Sequence, residues 1–415
     1  MTDRAASPIA DKKQLRLNLS VAWLGWLFDG LEMGLYSLIA VPAMKELLKT
    51  DQNASIGPYV GIMFALFLLG ASVGGFIFGR LGDRMGRVKT MILTVLVYAV
   101  FTGLSAAAAN VWQFGACRFL GAMGLGGEWG LGVALVMETW PNAKRPLLAG
   151  ILGSAANVGF LLAALLGLFA GGLGWRVLLL FGLIPAVLAL FIRLRVKEPE
   201  RWKKAKERGE KPDLKQLWIP PLRGLTIKAC LVSSVVVVGT WGVFQWIPSW
   251  VNSLVGGDAA RERATVQMFM AFGQIVGSFL GGPAAEWLGR RKSYTLFCLG
   301  SFAFSILLYG SVRTYGPPLL ILASVAGVFS TAFFGWLPLY LPELFPTRIR
   351  ATGEGLTYNF GRILAAAGVF LGTGNLVAAF HGSFAKAGTV MASVYLLGLI
   401  LIRFMPETKG GTLPD

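Results

Sequence analysis

Apolar stretches alternate with short polar breaks along the whole 415-residue chain. Each stretch is about the length that crosses a hydrocarbon core as one helix, roughly 20 residues. Reading the breaks as loops gives twelve spans: 17–42, 57–79, 88–108, 111–138, 146–170, 174–195, 225–254, 264–288, 293–313, 317–341, 350–378 and 384–404. One polar interval is longer than the rest. The segment VKEPERWKKAKERGEKPDLKQLW is dense in charge and has no apolar run, so it reads as a cytoplasmic linker with room for a short amphipathic helix. The pattern predicts an all-α membrane protein with twelve transmembrane helices. They form an N-terminal six-helix bundle (1–195) and a C-terminal one (225–415), joined by a basic linker (196–224).

Composition supports a polytopic membrane protein: 55% hydrophobic, 14% charged and a mean hydropathy of +0.64 are too apolar for a soluble domain. The net charge of +17 could suggest nucleic acid, but its distribution decides otherwise. With the spans above, 29 Lys and Arg fall on the side of the N-terminus, 7 on the other side and 2 within spans. Loop Lys and Arg concentrate on the cytoplasmic face, so both termini are expected in the cytoplasm of a multi-pass cell-membrane protein (inner or plasma membrane). Contact of the basic linker with anionic lipid or a cytoplasmic partner stays open. Met1 to Leu19 is polar and mixed in charge, which does not fit a signal peptide.

Cys117, Cys230 and Cys298 all fall within spans, where cysteine behaves as a small apolar residue. Neither a disulfide framework nor a metal site is expected, and no cofactor motif is present. His381 is the only histidine and falls in an outer loop, so proton chemistry within the membrane is left to carboxylates.

The two halves repeat each other. GRLGDRMGR recurs as GPAAEWLGR, aligning Gly79, Asp83, Gly86 and Arg87 with Gly282, Glu286, Gly289 and Arg290. ETWPNAKR recurs as ELFPTRIR, aligning Glu138, Pro141 and Arg145 with Glu343, Pro346 and Arg350. EPERW after the sixth span is echoed by PETKG after the twelfth, aligning Pro199 and Glu200 with Pro406 and Glu407. Two parallel six-helix repeats are the plan of one large transporter group.

Through these boxes and the RxxxG run of the fourth span, the chain resembles the major facilitator superfamily over essentially its full length. FDGLEMG, GGEWG, ETWP, EPERW and YNFGR look most like its metabolite:proton symporters, which include sialic acid, monocarboxylate and aromatic acid carriers. Sugar porters are more distant. The resemblance implies transport by alternating access. It also implies that Asp83, Arg84, Arg87, Glu138 and Arg145, with Glu286, Arg290, Glu343 and Arg350, latch the cytoplasmic side. The plainer reading of that cluster is topology and folding alone.

Asp29 and Glu32 are three residues apart and share a face of the first span. A buried, mutually repelling pair of acids can exchange a proton. Arg118 on the fourth span is the natural counter-charge, and sugar porters resemble this chain in pairing a first-helix aspartate with that arginine. The expected coupling pair is therefore Asp29 with Arg118; the alternative is a static ion pair. Glu128 lies ten residues beyond Arg118, about 15 Å along the helix. It is expected beside the first helix, forming an acidic cluster with Asp29 and Glu32, or else in a structural hydrogen bond.

Arg362 on the eleventh span aligns with Asn157 on the fifth, so a cation and an amide stand at matching depth. A guanidinium fork suits a carboxylate, which favours an organic anion as substrate; the alternative is a structural pair with a carboxylate from another helix. Trp241, Gln245, Gln274, Trp336, Tyr358, Asn359 and Tyr36 are further candidates for lining the substrate path. Pro248 is expected to kink the seventh span.

These readings converge on a monomeric, proton-coupled symporter of a small organic anion, with the substrate, the proton and the lipid bilayer as its partners. A sugar or polyol carrier and a proton-coupled exporter of organic cations are the alternatives. No nucleotide-type phosphate loop is present, so neither enzymatic catalysis nor nucleotide hydrolysis is expected.

Overall fold

The computed structural model describes residues 12–50, 52–170, 173–183, 187, 191, 194–209, 212–244, 247–256, 259–371, 376, 379–381 and 383–414. Within these, the helices of the N-terminal half are α1 (Lys12–Leu48), α2 (Asn53–Met85), α3 (Arg87–Ala106), α4 (Val111–Thr139), α5 (Arg145–Ala170) and α6 (Trp175–Phe181). The linker holds α7 (Glu200–Glu207), the short helix for which its sequence leaves room. The C-terminal half follows with α8 (Leu222–Phe244), α9 (Ile247–Val255), α10 (Ala260–Leu288), α11 (Arg290–Ser311), α12 (Pro317–Tyr340), α13 (Arg350–Leu371), α14 (Phe384–Ala392) and α15 (Val394–Leu401).

Ten helical segments among the described residues are long and apolar enough to cross a membrane. The other two predicted spans, the sixth and the eleventh, run into residues outside the described set. Large apolar side chains such as Phe272, Ile321 and Leu397 point outward, as expected of surfaces that face lipid tails. Pro248 lies in α9, and the residues between Phe244 and Ile247, where the expected kink of the seventh span would fall, lie outside the described set.

The repeat seen in the sequence is carried into the backbone. Gly86 between α2 and α3 has φ 112°, and Gly289 between α10 and α11 has φ 91°; a side chain is strained in that region, so both tight turns need glycine. After α4 and again after α12 the chain leaves the helix before Pro141 and Pro346. It makes a 3-10 turn and re-enters a helix at Arg145 and Arg350.

Two seams join the halves, α2 against α13 and α5 against α10. The first is backbone on backbone: a Cβ built at Gly355 would lie 2.3 Å from the carbonyl oxygen of Gly75. That closeness sets the depth at which residues of α13 meet those of α1, α2 and α4.

Candidate transport site and cytoplasmic latch

The charged side chains of the spans are matched differently from the sequence-based expectation. Asp29 on α1 pairs with Arg362 on α13: Nη2 donates to Oδ2 at 2.6 Å, with both side chains almost fully buried. Arg118 on α4 instead donates through Nη1 to Oε1 of Glu32. The expected Asp29–Arg118 pair is therefore corrected. Asp29 and Glu32 differ by about 4.5 Å in height along α1, and the inter-helix register places Glu32 opposite Arg118 and Asp29 opposite the other half.

The two pairs have different surroundings. Arg118 lies between two rings, its Cζ 4.9 Å from the centroid of Tyr36 and 4.8 Å from that of Phe67. Thr102, Ser105 and Cys117 line the space beside it, which is too narrow for a water molecule. Every partner lies in the N-terminal half. Arg362, by contrast, has its Cζ 5.2 Å from the Tyr358 ring, and its Nη1 lies 3.3 Å from Oδ1 of Asn359. Tyr358 stacks on Trp129 of α4 with centroids 3.9 Å apart. Its partners thus come from both halves. The second oxygen of Asp29, Oδ1, is buried with no hydrogen-bond partner among the described residues.

Glu128 is buried on α4. Its Oε1 lies 3.4 Å from the Thr94 hydroxyl of α3. Tyr98 on α3 comes nearest to linking the acids: its hydroxyl is 3.4 Å from Oε2 of Glu32 and donates to the carbonyl of Gly182 at 2.9 Å, within electrostatic reach of Glu128 and Asp29.

The remaining substrate candidates separate by position. Asn157 spans the second seam, donating to Oγ of Ser278 at 2.7 Å and to the Gln274 carbonyl at 3.3 Å; the Gln274 backbone is thereby fixed at the seam. Asn359 donates to Gly355 O at 2.9 Å and approaches Gly126 O at 3.4 Å. Trp241 packs between Phe64 of α2 and Phe160 of α5, at 5.7 and 6.1 Å between centroids. Tyr36 belongs to the Arg118 environment and bonds Val60 O at 2.7 Å. Trp336 is fully buried in the C-terminal half, its indole N–H bonded to Arg290 O at 2.9 Å and its ring against Tyr294 and Tyr340. Gln245 lies outside the described residues.

At the end of the bundle that carries the α2–α3 turn, the charges form one buried network. Arg87 donates to Asp83, to Glu138 and to the carbonyl of Thr347, at 2.9, 2.9 and 2.8 Å. Arg350 donates to the same Glu138 oxygen at 2.9 Å, so Glu138 is held by arginines of both halves rather than of its own half alone. Asp83 also crosses over. It accepts from the backbone of Ala351 at 3.2 Å and of Thr352 at 2.9 Å, and from the Thr352 hydroxyl, which places a carboxylate on the positive end of α13.

The matching C-terminal set is self-contained: Glu343 and Glu286 take Arg290 at 2.7 and 2.8 Å. Arg84 is exposed and makes no ion pair among the described residues. Arg145 is buried with its Nε unpartnered among the described residues, within electrostatic reach of Glu343 and Glu138.

Two functional positions escaped the sequence reading. Glu407 accepts from the backbone N–H of Arg290 and Arg291 at 2.9 and 3.0 Å, capping α11. Partial burial disfavours its charge, but these donors and the N–H of Lys409 outweigh that and hold the carboxyl below the ordinary glutamate range. The residue that does the same for α3 is Glu198, which accepts from Val88 and Lys89 at 3.1 Å each. The sequence alignment had matched Glu407 with Glu200, which instead pairs with Lys203 at the surface. Two glutamates, Glu198 and Glu200, flank Pro199 in EPE, and their order along the chain does not distinguish the one that caps α3.

Ten helical segments of membrane-crossing length among the described residues, in two repeated halves joined by buried ion pairs, define a polytopic membrane protein. The sequence profile of the Major Facilitator Superfamily matches residues 22–369, and the chain belongs to that superfamily. A Bacillus subtilis (strain 168) protein that carries the name of a niacin/nicotinamide transporter, NiaP, is 33% identical over 408 residues, covering 97% of this chain and 98% of that protein. A cis,cis-muconate transport protein of Acinetobacter baylyi is 29% identical over 406 residues, covering 94% of each. The solved structure of the proton:xylose symporter XylE shares the fold with a TM-score of 0.80 at 19% identity, over 97% of this chain and 98% of that chain. The protein is therefore a multi-pass membrane transporter of small-molecule metabolites, and not an enzyme.

Proposed function

We propose that the protein is a proton-coupled symporter of a small, planar organic anion, working by alternating access between bodies 1–195 and 225–415. The observation that carries this reading is the buried Asp29–Arg362 pair between the halves. A guanidinium fork is the side chain best shaped for a carboxylate, and here an internal carboxylate occupies it. A substrate anion that takes Arg362 strips Asp29 of its counter-charge in a dry interior, where an unpaired carboxylate is costly. A proton on Asp29 removes that cost. Oδ1 of Asp29 has no other partner to give up among the described residues. Anion and proton then bind together, and the site reverts to the internal pair when both leave.

This assigns coupling to Asp29 with Arg362 rather than with Arg118. The Glu32–Arg118 pair lies within one half and moves with it as a unit, so it offers no free-energy difference between states. The stacked faces of Tyr358 and Trp129 beside Arg362, and the Trp241, Phe64 and Phe160 rings, suit a flat unsaturated or aromatic acid. The niacin and cis,cis-muconate names of the two relatives agree with that class. The strongly basic side of the chain is the cytoplasmic one, with both termini there, and one chain holds both halves of the path.

The test is uptake of labelled nicotinate, cis,cis-muconate and xylose into proteoliposomes, with and without an inside-alkaline gradient. Acid uptake should rise with the gradient, and Arg362→Ala should remove it. Asp29→Asn should keep exchange of acid and lose accumulation. Xylose uptake indifferent to Arg362→Ala would replace this reading with a sugar carrier.

A further inference from the structure

One buried acid is used neither by the ion pairs nor by the latch. Glu354 lies on α13 between Arg350, one turn toward the cytoplasm, and Tyr358, one turn toward Arg362. It is fully buried, and neither carboxylate oxygen has a hydrogen-bond partner among the described residues. We propose that Glu354 is a second proton-carrying carboxyl, neutral while the cytoplasmic seam is closed and ionised when the seam opens to cytoplasmic water.

The charges around it support this assignment. Glu354 is within electrostatic reach of Arg350 on its own helix, Arg87 on α3, Glu138 on α4 and Asp83 on α2. The Nη groups of both arginines are already engaged, while Nε of Arg87 is buried without a hydrogen-bond partner among the described residues. Arg87 gives its Nη groups to Asp83, Glu138, Gly82 O and Thr347 O, and Arg350 gives its donors to Glu138, Pro342 O, Phe345 O and Pro414 O. Asp83 and Glu138 thus answer Arg87 and Arg350 by direct bonds, and Glu354 would be a third, unanswered negative charge.

Arg145 faces Arg201, Arg350, Glu343 and Glu138. Of the other elements packed on α13, the segment before it commits Glu343 to Arg290 and Arg348 to Gln216. Lys228 of α8 bonds Phe404 O. An ionised carboxylate sealed without donors is strongly disfavoured, whereas a neutral carboxyl is tolerated.

The site is also placed to change with conformation. Glu354 adjoins Gly355, whose backbone meets Gly75 of α2 across the seam. When the halves part at the cytoplasmic side, that contact opens and water reaches the carboxyl. The sign follows: protonated Glu354 is compatible with the closed seam, so closure is favoured at low pH and lost as pH rises through the range where Glu354 releases its proton. With one proton involved, the closed-to-open ratio should fall about tenfold per pH unit in that range.

This inference rests on the alternating-access reading, so its test has one arm that needs no transport. Infrared spectra of the purified protein should contain the carbonyl stretch of a buried protonated carboxylic acid, identified by its shift in D2O, and Glu354→Gln should remove that band. In the second arm, spin labels at Arg84→Cys and Lys292→Cys, in a background lacking Cys117, Cys230 and Cys298, report the separation of the cytoplasmic ends from pH 5 to 9. The wild-type distances should lengthen as pH rises, and those of Glu354→Gln should stay short and flat. A band that survives Glu354→Gln, or a titration identical in the two proteins, overturns the assignment. Glu354→Met, also neutral, replaces the glutamine variant if that one fails to fold.

Discussion

Asp83→Asn is the substitution that most directly measures the latch. The carboxylate makes three bonds to the N-terminus of α13, from Ala351 N, Thr352 N and the Thr352 hydroxyl; all three cross between the halves, so the proposed opening would break them. Its bond from Arg87 stays within the N-terminal half and cancels between states. Asparagine keeps one acceptor oxygen but turns an N–H toward the remaining donors and removes the charge from the helix end. A hydrogen bond to a charged group contributes about 1.5–3 kcal/mol, and a charge at a buried helix terminus adds up to about 2 kcal/mol. Losing one such bond and part of the helix-end term, with some relaxation, should cost the closed state about 2–4 kcal/mol. At about 1.4 kcal/mol per tenfold, the closed-to-open ratio should fall on the order of 30- to 1,000-fold. Distances between labels at Arg84→Cys and Lys292→Cys should shift to a longer population, while binding of labelled nicotinate or muconate persists. Unchanged distances, or loss of binding without a change in distances, would refute the latch argument.

Two further expectations concern stability. Removing one member of the Glu32–Arg118 pair by Glu32→Leu strands a buried guanidinium and should cost about 3–5 kcal/mol, read as a lower melting temperature in detergent, whereas Glu32→Leu with Arg118→Leu should recover most of it. A folded double variant should still accumulate substrate under a pH gradient, and loss of that activity would return coupling to this pair. Glu407→Gln weakens the cap of α11 and should cost about 1 kcal/mol. Because the donors hold the Glu407 carboxyl below its ordinary range, its contribution is present at neutral pH and disappears as pH falls through its folded value. A melting-temperature difference between wild type and Glu407→Gln that persists undiminished at low pH would contradict the capping role.

Much of the architecture was legible because it depends on local composition. Span length, the side on which Lys and Arg collect, and the duplicated boxes require no knowledge of how helices face one another. The duplication even located turns, since Gly86 and Gly289 have the same conformational need and Pro141 and Pro346 end equivalent helices. Candidate residues were legible as a set for a related reason: Asp29, Glu32, Arg118 and Arg362 are conspicuous wherever an apolar helix carries them. Trp336 shows the limit, since an aromatic residue in a span reads the same whether it lines a path or fills a core.

The pairing of those charges is what the sequence left undetermined. Helical spacing fixes the height and face of a residue on its own helix, and Asp29 and Glu32, one turn apart, are equally plausible partners for Arg118 on that basis. The choice was made by register between helices, set where glycine-lined backbones such as Gly75 and Gly355 come into contact. That register put Glu32 opposite Arg118, carried Asp29 across to Arg362, gave Glu138 an arginine from each half, and left Glu354 without a direct hydrogen-bond partner among the described residues. The sequence by itself determined the spans, the duplication and the inventory of charges. Only the tertiary structure decided which charges neutralise one another, because that depends on a few ångströms of relative helix position that no single helix encodes.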